Sequence, residues 1–466
     1  MSNTKRIPRP KPARPPSREL VSKQWKHIGR DALAGVVLTI LLLILKLSFE
    51  KTTPGKLLED AVYCWLQTRL TAGSTPLPVV VVDISQLDAE PVRGRLTPRE
   101  QLTRLLDVIT EQGAAAIGID VDFSPGGQGW TPRGGPQLFD HLLNLRIPVF
   151  LGVSRSRFAS PQNWLGAEDY QKLAATIAVP KDDRRRMPLW IGRGDSEACL
   201  KMAADLMGIK PKLDEKRVNT GNAETATCLP AMSAVLARKY PNLEAYRALG
   251  PSWLLDPLEE VTLDKGQQLH TAYFFVDYSA VDELRAQTLT AVVSDHDVRL
   301  SPTPGSLIGK IMMLGNTQWE NTLDKYPVPP WQIETPGVYL HASAIYTLIK
   351  GPLLEITTAG RVGLDVFFAM GVLGVVSGLR IYYSRQAEVA AHRVNVLFTC
   401  LAILVVVAFG YGFVQYTRIL WTDFVLVSAA LAIHSMIEGH LETFGEKMSV
   451  IWHRVVFVDS SKGESS

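Results

Sequence analysis

Asp83, Asp120 and Asp122 lie at the ends of two apolar runs, VVVVDI (Val79 to Ile84) and AAAIGIDV (Ala114 to Val121). If those runs are parallel strands, their carboxyl ends form the edge where open α/β sheets bind ligands. Positions 120 and 122 share a face by the strand period, so the three acids are candidate ligands for a cation or a polar molecule. The competing reading makes them caps for turns and nearby helix N-termini. Asp365 and Asp423 raise a different chemistry. They sit inside apolar segments, where a carboxylate points to a proton-sensitive or polar contact between helices, or else simply reaches the headgroup region. His341 lies among Leu340, Ala342, Ile345 and Leu348 and reads as a packing histidine. Asp295-His296-Asp297 reads as a solvated loop. No Cys/His spacing suited to zinc occurs, and G-x-S-x-G, H-E-x-x-H, P-loop and G-x-G-x-x-G patterns are missing. The expectation is a protein that is not an enzyme and uses no metal or cofactor.

These residues need elements to hold them. The β-branched run at Val79 to Ile84 predicts a strand buried on both faces. Thr97-Pro98-Arg99-Glu100 has the form of a capped helix start, and Leu102, Leu105, Leu106 and Ile109 follow at helical spacing up to Gly113. With the strand at Ala114 to Val121 this predicts a β-α-β unit with two neighbouring parallel strands. Further strands are expected at Ile147 to Val153 and Lys310 to Leu314. The predicted fold class is an α/β extracytoplasmic sensor domain, a parallel-sheet core with helices, plus four transmembrane α-helices.

The four apolar spans are read at 32–49, 362–379, 394–414 and 419–437, which leaves 50–361 as one large block. Residues 1–30, ahead of the first span, carry Lys5, Arg6, Arg9, Lys11, Arg14, Arg18, Lys23, Lys26 and Arg30 against the single acid Glu19. The positive-inside rule then keeps the N-terminus cytoplasmic and the block outside. Arg380, Arg385 and Arg393 between the second and third spans agree with that topology, and both termini come out cytoplasmic. Lys46, Leu47, Ser48, Phe49 and Glu50 offer no cleavage site, so the first span reads as an uncleaved anchor. The proline-interrupted basic tail, 1–31, suits anionic lipid better than nucleic acid. Gly374 and Gly378 form a G-x-x-x-G surface for close helix packing. In an oxidising compartment Cys199 and Cys228 are the expected disulfide pair, with Cys64 and the intramembrane Cys400 left over.

Several segments resemble one family in order: "AAIGIDVDFSP" (Ala115 to Pro125), "LPAMSAVLARKYP" (Leu229 to Pro241), "FFVDYSA" (Phe274 to Ala280), "IGKIMMLGN" (Ile308 to Asn316) and "TPGVYLHASAIYTLIKG" (Thr335 to Gly351). Together they resemble the type 2 CHASE extracellular sensory domain, and the one-plus-three arrangement of spans is similar too. The chain departs from the family pattern at Asp277-Tyr278 and in the loop Asn316 to Pro330. Similar proteins commonly continue from the last span into a cyclase or kinase. Here 438–466 follows, with Leu441, Phe444, Met448, Ile451, Trp452 and Val455 on one helical face, suited to lipid or to a docking partner. The resemblance implies a multi-pass sensor in the cell (inner) membrane of a bacterium. It would detect an unknown extracytoplasmic ligand and signal through a separately encoded protein, with homo-oligomers possible. The alternative is a membrane effector that oligomerises and permeabilises the bilayer under control of the outer domain. A secreted active site is the third reading.

Overall fold

The computed structural model describes residues 44, 48–49, 52–70, 77–88, 99–124, 135–154, 168–179, 185–193, 227–241, 261–264, 269–271, 273–294, 297–318, 324–329, 333–351, 354–356, 360–368, 371, 388–417, 419–422, 424–425, 428–429 and 432. The chain divides into two compact units. One holds Thr53–Arg361 with Gly410–Thr422; the other holds Met1–Thr52, Val362–Phe409 and Asp423–Ser466.

Helix α1 (Thr53–Leu70) opens the first of these units. Four consecutive valines then form β1 (Val79–Asp83), and all five of its residues are buried. Side chains branched at Cβ favour such a strand, which is covered on both faces. Helix α2 (Arg99–Glu111) buries Leu102, Leu105, Leu106 and Ile109 along one stripe. Thr97 and Pro98, the expected cap, lie outside the described residues, and Glu100 pairs with Arg104 one turn on. The chain continues through β2 (Ala116–Asp122), α3 (Gly135–Asn144), β3 (Val149–Val153) and β4 (Ala174–Thr176). Next come β5 (Arg186–Pro188), β6 (Trp190–Arg193), β7 (Thr227–Pro230), α4 (Met232–Arg238), β8 (Val261–Asp264), β9 (Leu269–Thr271) and β10 (Tyr273–Phe275). The last stretch holds α5 (Val281–Ala286), β11 (Leu289–Ser294), β12 (Asp297–Ser301), β13 (Ile311–Gly315), β14 (Lys325–Val328), β15 (Ile333–Pro336), α6 (Gly337–Lys350) and β16 (Leu354–Glu355).

Seven strands make the main sheet in the order β12-β11-β1-β13-β2-β3-β4. All pairings are parallel except the edge pair of β11 with β12. The sheet therefore corrects the expectation that β1 and β2 are neighbours. β13 lies between them, with Val79–Asp83 paired to Ile311–Gly315 on one side and Ala116–Ile119 on the other. The apolar pattern of β1 and β2 requires cover on both faces but says nothing about which strand fills the gap.

The strand period sorts the core into two layers. Val79, Val81, Ala116, Ile311 and Met313 pack with residues of α4, α5 and α6. Val80, Val82, Ile117, Ile119, Met312 and Leu314 pack with the buried faces of α2 and α3. A smaller antiparallel sheet, β7-β6-β9-β8, accompanies the main one. Within it Cys228 is disulfide-bonded, whereas Cys64 and Cys400 are free. Cys199 lies outside the described residues.

Of the four expected spans, α7 (Glu388–Thr417) is described as a continuous helix of 30 residues, longer at both ends than 394–414. Thr399–Thr417 within it has a mean hydropathy of 1.8 and is, among the described residues, the one segment long and apolar enough to cross a membrane. The fourth span does not begin at Ile419 as expected. Ile419–Leu420 forms strand β17 and pairs in parallel with β16. Two apolar residues read equally well as the start of a helix or as a short buried strand, and here backbone pairing decides. Asp365 is buried, 1% exposed, while Asp423, Gly374 and Gly378 lie outside the described residues.

Candidate functional site

The connections set the place of the site. At the carboxyl edge β1 and β2 lead into α2 and α3 on one face, whereas β13 between them leads on towards α6 on the other. That reversal makes the end of β13 a switch point, the position where open α/β sheets form a crevice. Asp83 stands in register with Gly315 on one side of it. Asp120 stands on the other side: a Cβ built on Gly315 would lie 3.3 Å from the Asp120 Cβ and 2.7 Å from the Val338 Cβ. Glycine at 315 is what lets the first turn of α6 and Asp120 approach from both sides at once.

The three predicted acids are used differently. Asp83 accepts hydrogen bonds from the Ser85 backbone N–H at 3.1 Å, the Ser85 hydroxyl at 2.8 Å and the Thr317 N–H at 3.1 Å. It is a cap that fixes the exits of β1 and β13. Asp122 Oδ1 likewise accepts from the Ser124 N–H at 2.9 Å and the Ser154 N–H at 3.2 Å, joining the ends of β2 and β3 beside a bulge between Ile119 and Asp122. These two follow the capping reading. Among the described residues no three His, Cys, Asp or Glu side chains converge as a metal site does.

Asp120 differs from both. Its side chain is 5% exposed and makes no hydrogen bond among the described residues; its one close polar neighbour is His341 Nε2, 3.8 Å from Oδ1, on a ring that is 3% exposed. The separation would suit an ion pair, but burial opposes both charged forms. Desolvation holds the Asp120 carboxyl well above its usual 3.8, with the charge of Asp324 adding to the rise. Desolvation also pushes His341 down to about 4, against a hydrogen bond to the Ile177 backbone that favours protonation. Burial thus disfavours the carboxylate form of Asp120 and the imidazolium form of His341 alike.

Helix α6 supplies His341 near one end and makes further polar contacts along its length. Gly337 N–H donates to the Asp324 carbonyl at 3.0 Å, and a side chain at 337 would collide with the Asp324 carboxylate. The Tyr339 hydroxyl lies 3.0 Å from that of Thr288, and the Arg285 guanidinium, which donates to Thr335 Oγ1, sits over the Tyr339 ring. Further along, Thr347 Oγ1 accepts from the Asp277 N–H at 2.7 Å. The neighbouring Val276 carbonyl accepts from the Tyr63 hydroxyl at 2.5 Å and from Gln67 Nε2 at 2.9 Å, both on α1. Arg185 reaches Glu59 at 3.0 Å and Asp60 at 3.4 Å on the same helix. The domain thus ties α1 to the C-terminal half of α6.

Sequence reasoning placed Asp120 and His341 separately and missed that they meet. It also missed Asp324. The profile of the CHASE2 domain matches residues 36–376, most of the chain. The chain belongs to the CHASE2 family. CHASE2 is an extracellular sensory domain, and a sensory role follows for this chain at that level. No curated protein and no solved structure matches the chain significantly.

Proposed function

We propose that this CHASE2 protein is a multi-pass membrane sensor whose sheet domain lies outside the cell and passes its state through the membrane helices to a separately encoded partner. The observation that carries the reading is the pairing of β16 with β17. β16 follows α6, the last helix of the CHASE2 sheet, and β17 lies directly after the candidate membrane helix α7; Leu354 pairs with Ile419 and Glu355 with Leu420. Trp65 of α1 adds a ring contact to Tyr411 near the end of α7, with centroids 5.8 Å apart. The segment Gly410–Thr422 belongs to the same compact unit as the sheet. A change in α6 therefore has a covalent and hydrogen-bonded route to the turn between the last two apolar segments. The distribution of Arg and Lys supports placing that turn outside and both termini inside.

Reporter fusions at residue 200 and at the C-terminus test the topology. The reading expects signals from opposite compartments, and matching signals contradict it.

A further inference from the structure

We infer that Asp120 and His341 form a one-proton binding site at the start of α6, through which the sensor domain responds to the acidity of its surroundings. The use of the site as an input rests on the sensor reading above; the site itself does not. A carboxyl group with no hydrogen-bond donor among the described residues, buried beneath α6 and facing an imidazole nitrogen at 3.8 Å, has no arrangement in which it carries an unbalanced charge cheaply. One proton on the pair satisfies it, whether on the acid or on the ring. Loss of that proton leaves a buried carboxylate beside α6, and a second proton leaves a buried imidazolium.

The surroundings reinforce the count of one. Asp324, ahead of β14, adds negative charge towards Asp120. Asp83 on β1 and Asp122 on β2 are held by their own backbone donors. On α6, Tyr339 faces Thr288 and the Arg285 guanidinium of α5. The buried residues Met232 to Ala237 of α4 bring no ionisable group. His341 also meets the Ile177 backbone. The pair is placed to act on the helix that continues to β16.

Linkage gives the pH dependence. His341 is held below its ordinary 6.5, at about 4, so it stabilises the fold above pH 6.5, and that contribution is lost as pH falls towards 4. Asp120 is raised above 3.8, so its contribution is complete below pH 3.8 and is lost as pH rises towards its folded value. For as long as Asp120 keeps its proton in the fold, the two slopes cancel between about pH 4 and 6.5, because folded and unfolded chains then each hold one proton on the pair. Above pH 6.5 the unfolded chain has released its proton, and each pH unit costs the folded state a factor of about ten until Asp120 itself ionises.

The experiment is thermal unfolding of the full chain in lipid nanodiscs, followed by tryptophan fluorescence, for wild type, Asp120→Asn and His341→Gln between pH 4.5 and 8.5. The Tm of wild type relative to Asp120→Asn should fall by about 2–4 °C per pH unit as pH rises from 4.5, until the folded Asp120 itself ionises. Relative to His341→Gln it should fall by a similar amount per unit as pH drops below 6.5. If Asp120→Asn does not fold, the His341→Gln comparison decides alone. Profiles that run parallel to wild type overturn the proton site and leave the topology untouched. Failed topology mapping, in turn, leaves these profiles as they are.

Discussion

Asp83 and Asp120 occupy matching positions on either side of β13, and they have opposite fates. Asp83 ends β1 with three donors on its carboxylate, from Ser85 twice and from Thr317. Asp120, one strand beyond Gly315, has none among the described residues and faces a histidine instead. Both are buried, on the same face of the same sheet edge. Burial alone therefore does not mark a functional acid. The distinguishing feature is whether the backbone around it supplies donors, since a carboxylate held by several N–H groups is a structural part and one held by none responds to protonation.

The comparison breaks most strongly at Asp83. Replacing it by Ala removes an acceptor from two backbone N–H groups and a hydroxyl, and should destabilise the domain by about 3 kcal/mol at any pH from 6 to 8, read as a fall in Tm. Asp120→Asn at pH 8 should instead leave Tm unchanged or raised, because it removes a carboxyl whose ionisation burial and the charge of Asp324 both oppose. Equal losses for the two variants would erase the distinction. Gly315→Ala tests the crevice between them. Its Cβ would meet Val338 at 2.7 Å and Asp120 at 3.3 Å, so a loss of about 2 kcal/mol is expected, with the pH dependence of Tm altered because Asp120 must move.

At the other end of α6, Tyr63→Phe deletes one of two hydrogen bonds to the Val276 carbonyl, and about 1 kcal/mol is expected by thermal unfolding, because Gln67 still donates to the same oxygen. The smallest effect should come from Glu100→Gln, which removes an exposed i,i+4 pair with Arg104 worth about 0.3–0.5 kcal/mol, and less in high salt.

Parts of this arrangement were legible in the sequence. Val79 to Asp83 reads as a buried strand from its valines, and α2 reads as a helix from Leu102, Leu105, Leu106 and Ile109, because local period and branching dictate both. The order of strands was not legible. Nothing in β1 or β2 records that Ile311–Gly315 inserts between them, since pairing partners are chosen by the whole sheet. The same non-locality hid the meeting of Asp120 with His341, which depends on β13 drawing α6 over β2. At Ile419 and Leu420 the sequence misled, because apolar residues after a membrane segment read as more of the same, while in the fold they pair with β16. The order of the family motifs, by contrast, was visible, and the CHASE2 match extends over them.

The central claim is that the sheet domain and the turn after α7 lie together outside the cell. Tyr416, in the last turn of α7 and 81% exposed, gives access to that end of the helix and the turn beside it. In a cysteine-free background that carries Tyr416→Cys, a membrane-impermeant maleimide applied to intact cells should label the protein fully. Labelling that appears only after the membrane is permeabilised would contradict the account.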